Sequence, residues 1–403
     1  MKSKKVVVFI SLILAMNVVQ QQTAQAAEPA AIKAAFTQLV KNNNLANPAV
    51  IVVDESTGEV IFEKNSLVAR KPASVIKLIT GAAAYTYLSP SDSYTTSLWM
   101  GIDTKTAVIQ GSLDPWTTFS TTQADKLKRT SLGKFAYSAM TAIGKANAGD
   151  YEGTTLYYSN LYPQDVAALK TYFKERNLAI VLQKVSDKQA KELSLNQILT
   201  STSPTLQVIT DWMMTWSDNV LAERIARSAA SAAGFTRDYA GVAKVFRKLM
   251  TGLGIDTKNL VVKDGSGLSR ENRVTAQQIS QLLMVIARDE KLGSLITGLP
   301  IGGVTGTLTE RFIETAPSAI GLVRAKTGTL NGTTNLAGYV ESENKEYIFV
   351  IIADKHSRSY TVTKRVRESV DKALGKIAKP LLPLFLPVDT STAISESVTT
   401  TVG

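Results

Sequence analysis

The stretch Lys71-Pro72-Ala73-Ser74-Val75-Ile76-Lys77-Leu78-Ile79-Thr80 sets a hydroxyl and an amine about one helical turn apart, at the head of a long apolar run. Pro72 cannot sit inside a helix but is comfortable just before one, so Ser74 to Leu88 reads as helix, with Gly81 as its weak spot. Ser74 and Lys77 then share a face and their ends can meet. A seryl hydroxyl is a poor nucleophile without a neighbouring base. A lysine serves as that base only when burial or another cation lowers its pKa. The start of the helix adds N–H groups suited to an oxyanion. Ser131…Lys134, Ser342…Lys345 and Ser369…Lys372 repeat the spacing, yet only Ser74 has the apolar helix behind it and two partner motifs after it.

The bulk composition narrows the chemistry. A chain of 403 residues has room for two domains, or for one carrying an insertion; 44% hydrophobic and 20% charged residues are ordinary for a folded protein. The absence of cysteine excludes thiol catalysis, disulfides and cysteine-ligated zinc. One histidine, His356, leaves no His-rich metal site and no ready Ser-His-Asp triad; in the polar patch Asp354–Ser359 it reads as an exposed loop residue. No metal and no cofactor are expected. Lys2, Lys4 and Lys5, the apolar run Val6–Val19 and then Ala24-Gln25-Ala26 have the form of a signal peptide over residues 1–26. Cleavage is expected after Ala26, with export to the extracytoplasmic side; an uncleaved membrane anchor is the alternative. The formal net charge of +11 would draw such a protein to anionic envelope polymers or a membrane surface, or serve solubility alone.

Taken in order, Ala30–Lys41 has helical periodicity, and Ala49–Val53 with Glu59–Phe62 reads as a hairpin around Glu55-Ser56-Thr57-Gly58. Between residues 91 and 204 short strand-like runs alternate with helices, which suggests an inserted subdomain. Thr205 to Ala233, Arg237 to Leu253 and Thr275 to Asp289 are helical, the last opening on a capping box Thr275-x-x-Gln278. Gly321–Lys326, Leu336–Val340 and Tyr347–Ala353 read as strands, closed by a helix around Thr363–Ala378. The early hairpin and the late strands are expected to form one antiparallel sheet with the Ser74 helix packed on it. Residues 27–90 and 205–380 would then make one domain, and 381–403 a tail.

Two later clusters supply partners for Ser74. Ser217-Asp218-Asn219 lies between two helical stretches and offers a hydroxyl to relay a proton and a carboxamide to bind a carbonyl. Lys326-Thr327-Gly328 occurs once. On a strand, its lysine and hydroxyl can bind a carboxylate, and Gly328 leaves room for a substrate backbone.

In that order the three clusters resemble the signature of penicillin-binding proteins and serine β-lactamases. More narrowly the chain resembles the class C penicillin-binding proteins of the DacB type, D-alanyl-D-alanine carboxypeptidases and endopeptidases. The flanking runs Lys263-Asp264-Gly265-Ser266-Gly267-Leu268-Ser269-Arg270, Gly303-Val304-Thr305-Gly306-Thr307-Leu308 and Ala325-Lys326-Thr327-Gly328-Thr329-Leu330-Asn331-Gly332 fit equally well. The resemblance implies an α+β transpeptidase-like fold, an antiparallel sheet flanked by helices with an inserted subdomain. It implies Ser74, Lys77, Ser217 and Lys326 as catalytic residues. Asn219, Thr327, Gly328 and Thr329 would bind substrate, with Ser266 and Arg270 facing it. The implied partners are peptidoglycan stem peptides and β-lactam antibiotics, with no nucleic acid. The family usually places two subdomains between Ser74 and Ser217; this chain has length for about one. Two other readings are a β-lactamase and a non-catalytic wall-binding or β-lactam-sensing module. Glu192-x-x-Leu195-Asn196 resembles the class A deacylation loop but precedes the Ser-Asp-Asn motif, where that loop should follow it.

Overall fold

The computed structural model describes residues 27–381, so the expected signal peptide and nearly all of the tail lie outside the described residues. Helix α1 (Pro29–Val40) leads into the hairpin β1 (Ala49–Asp54) and β2 (Val60–Lys64). The Ser74 stretch is a 3-10 turn, Ala73–Ile76, running into α2 (Lys77–Tyr87), so the regular helix starts three residues later than its sequence suggests. Next come β3 (Ser93–Gly101), β4 (Thr106–Gln110), α3 (Thr121–Leu127), α4 (Leu132–Ala146), β5 (Thr155–Ser159), α5 (Pro163–Lys174), β6 (Val181–Lys184), α6 (Asp187–Leu193) and β7 (Ser194–Thr205). The chain continues through α7 (Leu206–Trp216), α8 (Asn219–Ala232), α9 (Tyr239–Gly252), α10 (Ala276–Arg288) and the short α11 (Glu290–Gly293). It closes with β8 (Val323–Leu330), β9 (Thr333–Ser342), β10 (Lys345–Ala353) and α12 (Tyr360–Gly375).

The hairpin and the late strands form one antiparallel sheet in the order β2-β1-β10-β9-β8. Its inner strands carry the unbroken apolar runs Ala49–Val53, Leu336–Val340 and Tyr347–Ala353 because both faces are covered there, and alternation sends neighbours to opposite cores. Ile51, Val53, Ile348 and Val350 face the layer of α2, α8, α9 and α10; Val50, Val52, Phe349 and Ile351 face α1 and α12. Burying nine consecutive residues of α2, Lys77 among them, is what makes this helix the centre of the molecule. Strand β8 is left at the edge, its outer side paired only at its start, where Val323 and Ala325 meet Gly302 and Pro300 among the described residues.

Residues 93–205 build a second sheet, β6-β5-β4-β3-β7, with parallel pairs at β4–β5 and β5–β6. Helices α4 and α5 cover one face through Phe135, Ile143, Leu169 and Phe173. Strand β7 has no sequence signature because it is an edge strand rich in hydroxyls, which pair across to β3 at Ser97–Thr200 and Thr95–Thr202. This unit docks on α8: Arg224 pairs with Asp165 at 2.5 Å and donates to Thr117 Oγ1, while Trp116 meets Trp212 of α7 edge-on.

His356 corrects its sequence reading. It is buried, with Nε2 against Thr334 Oγ1 at 2.9 Å and Nδ1 against the Ser357 carbonyl. The polar patch around it folds inward because Asp354 makes a buried ion pair with Arg70 and accepts the Lys71 N–H.

Candidate active site

Ser74, Ser217, Asn219, Thr327 and Thr329 line one groove of about 290 Å³, together with Thr307, Arg311, Thr334, Asn335 and Arg367. Each wall has its own construction. On the first, Ala73 adopts φ +47°, a left-handed conformation unusual for alanine, immediately before Ser74. The turn is held there by its neighbours. Asn335 Nδ2 donates to the carbonyls of Lys71 and Pro72, and Gly267 lies so close that a Cβ on it would meet the Ala73 carbonyl at 2.0 Å.

Lys77 is fully buried and its Nζ has three partners: Ser74 Oγ at 3.0 Å, Asn219 Oδ1 at 2.7 Å and the Ser266 carbonyl at 2.6 Å. Two of these can only accept; the third, a hydroxyl, can also donate. A neutral amine therefore donates its two N–H bonds to the carbonyl oxygens and keeps its lone pair for the Ser74 proton. Burial pushes the Lys77 pKa down to about 8, against the opposing pull of the Asp218, Asp264 and Glu223 carboxylates.

Asn219 is brought to Lys77 by the break between α7 and α8. Ser217 ends α7 in the left-handed conformation, φ +59°, and Asp218 caps α8 by accepting the Leu221 N–H. One turn further along α8, Glu223 Oε1 accepts the N–H groups of Gly265 and Ser266, at 3.0 and 2.9 Å. This fixes the carbonyl that Lys77 uses. Asp264 ties down the rest of the loop by accepting from Gly267, Ser269 and Asn272.

The second wall is the edge strand β8. Alternation sends Lys326 to the face of Ser74 and Lys77, and Thr327 and Thr329 to the opposite face, toward α12. A residue at the edge can serve both. Ala325 donates its N–H outward to Pro300, so the N–H groups of Thr327 and Thr329, two and four residues on, point to the same free side. Lys326 is fully buried, its Nζ 3.2 Å from the Thr327 carbonyl, and burial together with the nearby Lys77 cation depresses its pKa well below the usual lysine range. The clearance at Gly328 is filled by the chain itself, since a Cβ there would meet the Pro72 carbonyl at 2.7 Å. That glycine lets β8 close on the Ser74 turn.

Ser266 and Arg270 are not among the groove-lining residues. Ser266 is buried and reaches the site through its carbonyl, while Arg270 is exposed in the turn that follows. Thr307, Arg311, Thr334, Asn335 and Arg367 were not singled out as site residues from the sequence. Of these, Thr307 lies within a flanking run already noted, and its Oγ1 is 2.8 Å from that of Thr327.

The profile of the D-Ala-D-Ala carboxypeptidase 3 (S13) family matches residues 32–136 and 164–376, which is most of the chain. The chain belongs to that family. It is therefore a serine-type D-alanyl-D-alanine peptidase, on a mixed α+β fold. Among relatives, it is 28% identical over 358 residues to carboxypeptidase DacB of Mycolicibacterium smegmatis, covering 77% of this chain and 78% of that one. It is 39% identical over 162 residues to the D-alanyl-D-alanine carboxypeptidase of an Actinomadura species, covering 39% of this chain and 30% of the relative. The crystal structure of penicillin binding protein 4 (dacB) from Haemophilus influenzae shares the fold, with a TM-score of 0.63 at 18% identity, covering 84% of this chain and 98% of that one. Between its two segments the profile leaves out residues 137–163, the latter part of α4, all of β5 and the loop to α5 in the second sheet.

Proposed function

We propose that Ser74 is the nucleophile of this peptidase and that it trims peptidoglycan stem peptides at their terminal D-Ala-D-Ala bond. The observation that carries the reading is the position of Lys77 Nζ between Ser74 Oγ and two carbonyl oxygens. Neutral Lys77 takes the Ser74 proton as Oγ attacks the penultimate D-Ala carbonyl. The oxyanion is met by the N–H groups of Ser74 and Thr329. Ser217 and Lys326 pass a proton to the departing D-Ala amine, Asn219 holds the acyl side, and Thr327 with Thr329 binds the terminal carboxylate. Water then releases the shortened peptide. Cleavage of cross-linked peptides would use the same acyl-enzyme with a longer leaving strand.

A β-lactam would acylate Ser74 in the same way; the Haemophilus influenzae protein is solved in complex with a β-lactam, and a Bdellovibrio bacteriovorus endopeptidase of the same fold is solved acylated by penicillin G. No carboxylate lines the groove among the described residues, so the groove offers water no acidic activator of the kind a class A deacylation loop would supply. Glu192 lies in α6, against the second sheet. The adduct should accordingly persist, which favours a peptidase over a β-lactamase. Export, with the leader cleaved after Ala26, completes the reading, since the substrate lies outside the cytoplasm.

The test is labelling with a fluorescent penicillin, mapping of the adduct by peptide mass, and D-Ala release from a pentapeptide compared with cleavage of a cross-linked dimer. A lasting adduct on Ser74, and loss of both labelling and D-Ala release in Ser74→Ala, are expected. A folded protein that forms no adduct would overturn the proposal.

A further inference from the structure

The groove needs a cation for its substrate that the residues considered so far do not provide. The terminal carboxylate of a D-Ala-D-Ala peptide carries a full charge, and Thr327 and Thr329 offer only neutral donors. Lys326 is buried beneath the strand on the other face, its charge disfavoured by that burial and by Lys77. Arg311 lines the groove but is committed: its guanidinium forms a two-pronged ion pair with the buried Asp371 carboxylate. Arg367 is not. It lines the same groove from α12, forms no ion pair among the described residues, and its Nη2 lies 3.5 Å from Thr329 Oγ1. Burial, and the neighbouring Arg311 cation, hold its pKa below the usual guanidinium range. Asp371 pulls the other way from a distance, but it is paired with Arg311, and a half-buried guanidinium with no ion pair of its own among the described residues is poised for an anion.

We infer that Arg367 is a specificity-determining residue that binds the substrate's terminal carboxylate with Thr327 and Thr329, and so selects peptides ending in a free acid. The inference rests on the proposed function. Its geometry follows from β8, which turns both threonines toward the α12 face, where Arg367 waits one side chain away. Arg311 contributes indirectly: by taking Asp371, it leaves Arg367 free for the ligand.

The experiment compares wild type, Arg367→Ala and Arg367→Lys on two peptides, one ending in D-Ala-D-Ala with a free carboxylate and the same peptide as its C-terminal amide. Thermal unfolding of each variant accompanies the kinetics. The expected result is that the preference for acid over amide, as a ratio of kcat/KM, falls by about 10- to 100-fold in Arg367→Ala, the size of a lost charge-assisted contact. Arg367→Lys should keep part of the preference. A fall on both peptides alike would mean a structural role and overturn the inference, as would an unchanged ratio. If wild type releases no D-Ala and forms no penicillin adduct, the proposed function itself fails; if it does both and the ratio is unmoved, only the role of Arg367 fails.

Discussion

The two walls of the groove are built on opposite plans. The wall of Ser74, Lys77, Asn219 and the loop at 263–272 is dense: Lys77 Nζ, Glu223 Oε1 and the Asp264 carboxylate each hold two or three partners. The wall of β8, Thr307, Arg311 and Arg367 is more open, with hydroxyls and one guanidinium that touch little but each other. Proton transfer needs donors and acceptors fixed within tenths of an ångström, and fixing them takes burial and many bonds. Recognition of an incoming carboxylate needs donors that are still unsatisfied. The difference suggests that substitutions on the first wall, and at Lys326 buried beneath β8, change the chemical step, while those at the open hydroxyls and at Arg367 on the second wall change substrate binding and choice.

The sharpest way to break this contrast is Lys77→Met. Activity should fall by about 10²- to 10⁴-fold, the range for a lost general base, with penicillin acylation falling in parallel. In wild type, acylation should rise with pH and level off above about 8, as Lys77 loses its proton. Stability gives an independent reading. The Lys77 pKa is lowered from 10.5 to about 8 on folding, so the unfolded chain binds more protons between those values. Wild type should therefore gain stability as pH rises from about 8 to 10.5, by up to about 3 kcal/mol. Below pH 8 the cost is constant. Buried Lys326 adds a gain of the same sign to both proteins, so the difference in urea midpoints between wild type and Lys77→Met is the readout: it should widen across this range, and equal slopes would mean that the lysine is not buried as a strained cation.

Glu223 tests the first wall from behind. Glu223→Ala removes the acceptor for Gly265 and Ser266, loosens the carbonyl that Lys77 uses, and should cost about tenfold in kcat/KM. Glu223→Gln keeps an oxygen for those N–H groups but removes a charge that supports the Lys77 ammonium. Its pH midpoint should move to the acid side of wild type, with most of the activity retained. Matching profiles for wild type and Glu223→Gln would remove Glu223 from the electrostatics of the site.

The residues of the first wall were easier to read from sequence than those of the second, and the reason is physical. Ser74 and Lys77 are three apart in sequence, so any helical turn brings them together, and Asn219 follows a helix break with its own capping signal at Asp218. The inner strands were legible because both faces are apolar, and the hairpin because Asp54 closes its turn locally. Strand β7 was not, since Thr200 and Thr202 find their hydroxyl partners on β3, about a hundred residues away. His356 looked exposed because its partner, Thr334, belongs to another strand. Arg367 is the clearest case. It lies four residues before Asp371 on α12, spacing that on an isolated helix favours pairing between them. Only the fold brings in Arg311 to take that carboxylate, and so decides which arginine is left free.

The smallest expected effect probes how the second wall is oriented. Thr307 Oγ1 and Thr327 Oγ1 lie 2.8 Å apart, so one hydroxyl can receive a proton from the other and turn its own outward. Thr307→Val keeps the shape of the side chain and removes that partner. The Thr327 hydroxyl then loses its fixed direction, which should raise KM about threefold with kcat nearly unchanged, the effect of one neutral hydrogen bond in ground and transition state alike. A fall in kcat at constant KM would place Thr307 with the reacting groups, and the division between the two walls would not hold at that point.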